Sequence, residues 1–173
     1  MQNSDILIIL GGAECMLEDL ENVDFEDLTW ADYMAINSAG IEYLRPIEHW
    51  VSYHPNLFAG YEEQRREKGG NLDYITHSHI GHMHEGRQMV THIWPLPKYN
   101  PGYTDFRSGS STLLGVEVGL ALGYRRIIVC GAPLLEDKYK VYQEGWRRAL
   151  PVLAGRVRSM SGWTKELLDI KTK

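Results

Sequence analysis

Five small residues, Ser108-Gly109-Ser110-Ser111-Thr112, stand together where the apolar segment STLLGVEVGLAL begins. A helix N-terminus carries unpaired backbone N–H groups and the positive end of the helix dipole, so it attracts anions. Serines and a glycine let a phosphate or carboxylate come within hydrogen-bond reach, and Arg107 adds a cation just upstream. Plain N-capping needs one hydroxyl. Four hydroxyls and a glycine point beyond capping, to an anion site at Ser110 and Ser111.

Other residues could share in that chemistry. Gly11-Gly12 follows the run DILIIL and would let a ligand approach the backbone closely, although a tight turn alone would use the same pair. His77, His79, His82 and His84 lie within eight residues, with Glu85 beside them. On strands His77 and His79 would share a face, as would His82 and His84, and paired imidazoles can ligate zinc or another transition metal. The spacing is not HExxH and no cysteine pair accompanies it, so solvated or substrate-lining histidines are the competing reading. Neither G-x-G-x-x-G nor GxxxxGK[ST] is present, and SGSST lacks the serine-hydrolase elbow. Cys130 closes a buried strand and reads as a structural thiol rather than a nucleophile.

The elements that must position these residues follow from hydrophobic patterning. Strands are expected at 5–10, 32–36, 49–53, 73–77, 89–94 and 127–130, mostly apolar without strict alternation. Helices are expected at 14–20, 39–44, 56–68, 111–122, from 138 to Ala149 where Pro151 interrupts, and from Thr164 to Ile170, capped at Ser161 or Thr164. The helix 111–122 is apolar on nearly every side, which predicts deep burial, and Gly123 is its C-cap. Residues 78–106 form an irregular, histidine-rich excursion. Alternating strands and helices predict one α/β domain over 1–173, a mostly parallel sheet flanked by helices. Ligands of such sheets bind beyond the carboxyl ends of the strands. Those ends carry Gly11 and Gly12, Asn37 and Ser38, His54, His77 and Ser78, and Gly131.

The formal net charge of −5 argues against bulk electrostatic nucleic-acid binding. No apolar run reaches the roughly 18 residues of a membrane span, and the N-terminal run lacks the basic flank of a signal peptide. These features predict a soluble cytoplasmic protein without a membrane partner. The two cysteines, Cys15 and Cys130, are expected to be buried free thiols. Tyr139, Tyr142, Trp146 and Trp163 could carry a homo-oligomer interface, with core packing as the commoner use of such residues.

The segment SGSSTLLGVEVGLALGYRRIIVCGAPL resembles one shared by two Rossmann-like groups. One is the bacterial sialyltransferase family that uses a CMP-sugar donor. The other surrounds the archaeal hydroxymethylpterin diphosphokinase and includes many bacterial and phage proteins of unknown role. IILGGAECMLEDL is similar to their first strand and Gly-rich turn, YMAINSAG to their second strand, and HWVSYHPNLF to their third. With gaps, the likeness spans residues 5–135. It implies nucleotide contacts at Gly11, Gly12, Asn37 and Ser111, with Ser110 and Gly131 nearby, and it puts His54 where the sialyltransferases place a nucleotide-contacting Asn.

The chain also departs from both groups. Gly131-Ala132-Pro133 replaces their Gly-x-Asp, Glu14-Cys15 replaces their Pro-Ser, and no histidine follows His92, where sialyltransferases carry a base. Fold and nucleotide pocket carry over; sialyl transfer does not. A pyrophosphokinase-type reaction would want a divalent metal such as magnesium, for which Glu14, Glu136 and Asp137 are the candidate carboxylates. The expectation is therefore a transferase that takes a nucleotide or nucleotide sugar and moves a glycosyl or phosphoryl group, with His54 or His79 as general base. The alternative is a non-catalytic nucleotide-binding protein, or a phage accessory scaffold that kept the fold.

Overall fold

The computed structural model describes residues 4–79, 92–94 and 110–169. Seven strands form one sheet: β1 Ile6–Leu10, β2 Asp32–Ile36, β3 His49–Val51, β4 Ile75–His79, β5 His92–Trp94, β6 Arg126–Cys130 and β7 Val157–Ser159. Their order is β5-β4-β3-β2-β1-β6-β7, and every pairing is parallel. Purely parallel sheets need both faces covered, and their central strands need apolar residues on both sides. Accordingly Leu7, Ile8, Ile9 and Leu10 are all fully buried. The domain is a doubly wound, Rossmann-like α/β fold.

The helices divide by face. Helices α1 Met16–Glu21, α2 Phe25–Trp30, α3 Ala39–Glu42 and α4 Phe58–Glu67 connect the strands from β1 to β4. They pack on the side of Ile8, Leu10, Ala35, Trp50, Ile128 and Cys130. Helix α5 Ser111–Leu122 leads back to β6, and after the short α6 Asp137–Lys140 come α7 Gln143–Leu153 and α8 Gly162–Leu168. Helices α5, α7 and α8 cover the side of Leu7, Ile9, Met34, Ile36, Val51 and Val129. The winding reverses between β1 and β6, so the ligand crevice of this topology lies at their carboxyl ends.

Helix α5 has the boundaries its sequence predicts, with Gly123 in the left-handed conformation (φ 100°) as C-cap. It lies very close to the sheet. A Cβ on Gly115 would come within 2.6 Å of Ile36 Cδ1, and one on Gly119 within 2.6 Å of Leu7 Cδ2. The two glycines let the helix backbone rest directly on β1, β2 and β6.

Several elements differ from the sequence reading: strand β4 lies two residues later than expected, and the helix expected from 138 is split into α6 and α7. Helix α2 was not expected, because its large apolar residues point outward: Phe25 is 80% exposed and Trp30 72%. Strand β7 is only three residues of VRS, too short to show a period. Pro151 sits inside α7 instead of ending it. It falls in the last turn, where one missing N–H costs a single bond and the helix stops two residues later. Trp146 is fully buried in the core, so it is no interface residue, and Cys15 is half-buried rather than buried. No helix among the described residues is long and apolar enough to cross a membrane.

Candidate functional site

At the carboxyl ends of β1 and β6 two turns meet. Gly11 N–H donates to the Cys130 carbonyl at 2.7 Å, and Ala13 N–H to the Gly131 carbonyl at 3.1 Å. A Cβ on Gly11 would lie 2.3 Å from the Gly131 carbonyl oxygen, so the missing side chain there is filled by protein backbone. Gly131 is left-handed (φ 76°), and a Cβ on it would strike Met16 and the Gly11 carbonyl. Its N–H donates to the buried Asp19 carboxylate at 2.7 Å. The same Asp19 oxygen accepts from Ser161 Oγ at 2.7 Å, and Ser161 Oγ lies 3.4 Å from Cys15 Sγ. Burial pushes the Cys15 and Cys130 thiols above their usual range, so neither is an activated nucleophile. The β1–β6 junction is thus a closed, internally bonded seam. Gly12 is the glycine left exposed on it, where a Cβ would make only an ordinary 3.7 Å contact with Ser38 Oγ.

The open part of the edge lies at β2 and β3. Asn37 leaves β2 in the left-handed region (φ 50°), which Asn tolerates better than most residues. Its N–H donates to the Val51 carbonyl at 3.0 Å, and its carbonyl accepts from Trp50 Nε1 at 2.7 Å. The side chain is oriented by a short relay. The backbone N–H of His54 donates to Ser52 Oγ at 2.9 Å, so the Ser52 hydroxyl proton goes on to Asn37 Oδ1 at 2.8 Å. Asn37 Oδ1 is therefore an acceptor within the protein, and the donor group of the side chain is its amide N–H₂. His54 is exposed beside it, at the start of the 3-10 turn Pro55–Leu57 that leads into α4.

Helix α5 brings its N-terminus to this edge. Gly115 rests on Ile36, the last residue of β2, and Ser111 lies four residues, about 6 Å along the axis, nearer the carboxyl edge. Ser110 is the N-cap, and its hydroxyl accepts from Leu113 N–H at 3.4 Å. The capping role thus belongs to Ser110. Ser111 and the first-turn N–H groups remain the donors of the helix end. Gly12, Asn37, His54, Ser110 and Ser111 share one edge of the molecule. Arg107, Ser108 and Gly109 lie outside the described residues.

Of the four metal candidates, His77 is the one whose side chain is described. His77 is buried on β4, and its Nε2 faces His49 Nδ1 at 3.1 Å. His79 ends β4, its side chain outside the described set, as are His82, His84 and Glu85. Among the described residues no three His, Cys, Asp or Glu side chains gather to hold an ion. Of the magnesium candidates, Glu136 pairs with Lys138 at 2.9 Å and Asp137 with Lys140 at 2.8 Å, all on the surface, and Glu14 is exposed.

Sequence reasoning missed Asp19 and Ser52 and read Ser161 only as a helix cap, yet the three hold the edge in shape. Asp19 and Ser161 are 142 residues apart. Comparison with family models, curated proteins and solved structures finds no match to this chain.

Proposed function

We propose that this protein binds a nucleotide or nucleotide sugar at the carboxyl edge of its sheet and transfers a glycosyl or phosphoryl group from it, working in the cytoplasm. The observation that carries the reading is the His54–Ser52–Asn37 relay, which engages Asn37 Oδ1 within the protein at the sheet edge to which α5 brings its N-terminus. An amide donor suits an acceptor atom of a base, and a helix N-terminus suits a phosphate. In this reading Asn37 and Gly12 receive the nucleoside and Ser110 and Ser111 the phosphate. His54, exposed next to them, or His79 takes the proton of the acceptor.

The second reading, a nucleotide-binding protein without turnover, has its own support. The Gly131 N–H is committed to Asp19, and the carboxylates after β6 are committed to lysines. Little catalytic chemistry stands at the β6 turn.

Thermal unfolding against CMP, CMP-sugars and nucleoside triphosphates, with and without magnesium, manganese and zinc, tests the binding claim. A ligand of the native state raises the midpoint by mass action. A shift followed by consumption of that nucleotide supports the transferase; a shift without consumption supports the binder. No shift in folded protein overturns both.

A further inference from the structure

Helices α1 and α2 follow each other on one side of the sheet, joined by residues 22–24. Each turns large apolar side chains outward. Leu17 on α1 is 53% exposed, and Phe25 and Trp30, at the two ends of α2, are more exposed still. A surface helix normally turns such residues to the core. Here the inward positions hold Met16, Asp19 and Asp27, which are buried. Single exposed apolar residues are ordinary, whereas three on two consecutive helices mark an interaction surface.

Carboxylates stand among them. Glu18, Glu21 and Glu26 are exposed and have no ion pair among the described residues. Leu17 and Glu21 are four residues apart, as are Glu26 and Trp30, so each pair shares a helical face. Glu21 ends α1, where the helix dipole disfavours an anion, and no basic residue stands in that last turn. Helix stability therefore does not account for it. The charge is also regional: residues 1–44 hold ten of the 23 acids and none of the 18 Lys and Arg.

We propose that the outward face of α1 and α2 docks a basic segment of a partner protein, with apolar side chains of that segment on Leu17, Phe25 and Trp30 and its Lys or Arg groups against Glu18, Glu21 and Glu26. Aromatic anchors supply most of the energy of such contacts, and the charges around them steer and select the partner. The same carboxylates repel nucleic acid and anionic lipid. A second copy of this chain is a poor occupant, because it carries the same net charge of −5. Its cations are also engaged already: Lys138 and Lys140 pair with Glu136 and Asp137, Arg147 and Arg148 with Glu144, and Arg126 and Arg158 with Asp27. The complementary charge comes from another protein.

Fluorescence anisotropy of a labelled amphipathic peptide of lysine and leucine repeats, at low salt, tests the face. Oligolysine of equal charge and a glutamate–leucine peptide of equal apolar content are the controls. Saturable binding of the lysine–leucine peptide is expected, weakened at least about tenfold in Phe25→Ser/Trp30→Ser and in Glu18→Lys/Glu26→Lys, with both controls weaker than the probe. All four positions are exposed, so both double variants should keep the wild-type melting temperature; if one does not fold, the other decides. No saturable binding to folded wild type overturns the proposal, as does equal affinity in a folded double variant or a control peptide that binds as well as the probe. Two further results would also overturn it, each by naming another occupant. Wild-type dimerisation in the ultracentrifuge that is lost in Phe25→Ser/Trp30→Ser puts a second copy on the face. Binding to phosphatidylcholine vesicles that is lost in the same variant puts a lipid surface there. None of these outcomes depends on nucleotide binding.

Discussion

The Asp19 carboxylate and the Gly131 backbone N–H lie 2.7 Å apart, and this one contact ties α1 to the left-handed turn after β6. Asp19 is 5% exposed and holds Ser161 through the same oxygen. Removing it strands a buried N–H and a hydroxyl. Asp19→Ala should destabilise by about 2–4 kcal/mol, and Asp19→Asn, which keeps an acceptor, by less. Denaturant unfolding checks the order of the two.

Arg65 is fully buried, with no carboxylate partner among the described residues. It donates instead to the carbonyls of Gly40, Tyr43, Arg45 and Asn71 and to Asn71 Oδ1, and its guanidinium lies 5.9 Å from the Trp50 ring centroid. One planar fork satisfies the end of α3 and the loop before β4 together. Lysine presents a single point of charge and cannot reproduce that pattern. Both Arg65→Lys and Arg65→Met should lose roughly 3 kcal/mol or more by chemical denaturation. Full stability in Arg65→Lys would show the fork is not needed.

Gly115 offers a packing test that leaves the polar edge intact. Even alanine there puts Cβ 2.6 Å from Ile36 Cδ1 and 3.1 Å from Met34 Sδ. Gly115→Ala should cost about 1–3 kcal/mol, and Gly115→Leu should prevent folding or lower the melting temperature far more. An unchanged melting temperature in Gly115→Leu would mean that α5 does not rest on β2.

Alkaline pH should weaken the fold. Cys130 is fully buried, and its thiol is pushed up to about 12, while an unfolded thiol ionises near 8.5. The native state therefore keeps a proton the unfolded chain loses. The contribution is complete below about pH 8.5 and falls by about 1.4 kcal/mol per pH unit as pH rises toward 12. Tyr124, raised further, acts in the same direction. The melting temperature should decline above pH 9, less steeply in Cys130→Ala. Native protein should show one thiol reactive to a disulfide reagent, Cys15, and two in denaturant.

How legible this was depended on distance along the chain. Strands β1 and β2 and helix α5 showed in the sequence because each buries a continuous local run, and the carboxyl-edge residues followed from the parallel order of those elements. Phe25 and Trp30 hid α2 because an exposed aromatic breaks the expected period. The bonds of Asp19 to Gly131 and of Tyr124 to Asp32 span 112 and 92 residues, and no local pattern announces either. Gly11 and Gly131 were expected as ligand contacts; a Cβ on Gly11 would meet the Gly131 carbonyl, and one on Gly131 would meet Met16 and the Gly11 carbonyl, long-range packing that no local pattern shows.

The N-terminus of α5 separates capping from ligand binding. Ser110→Ala should cost about 1 kcal/mol of stability, since its hydroxyl caps Leu113 N–H. Ser111→Ala should leave stability nearly unchanged and weaken any phosphate-bearing ligand. Equal nucleotide affinity in Ser111→Ala would remove the helix end from the site.

The central claim is tested most directly by calorimetric titration of CMP into the wild type and into Asn37→Asp. Aspartate tolerates the left-handed backbone and still accepts from Ser52, but it has lost the N–H₂. The account predicts saturable binding to the wild type and at least about tenfold weaker binding to the variant, the equivalent of about 1.4 kcal/mol. Equal affinity for both proteins, or no binding of CMP or any other nucleotide to folded wild type, would contradict it.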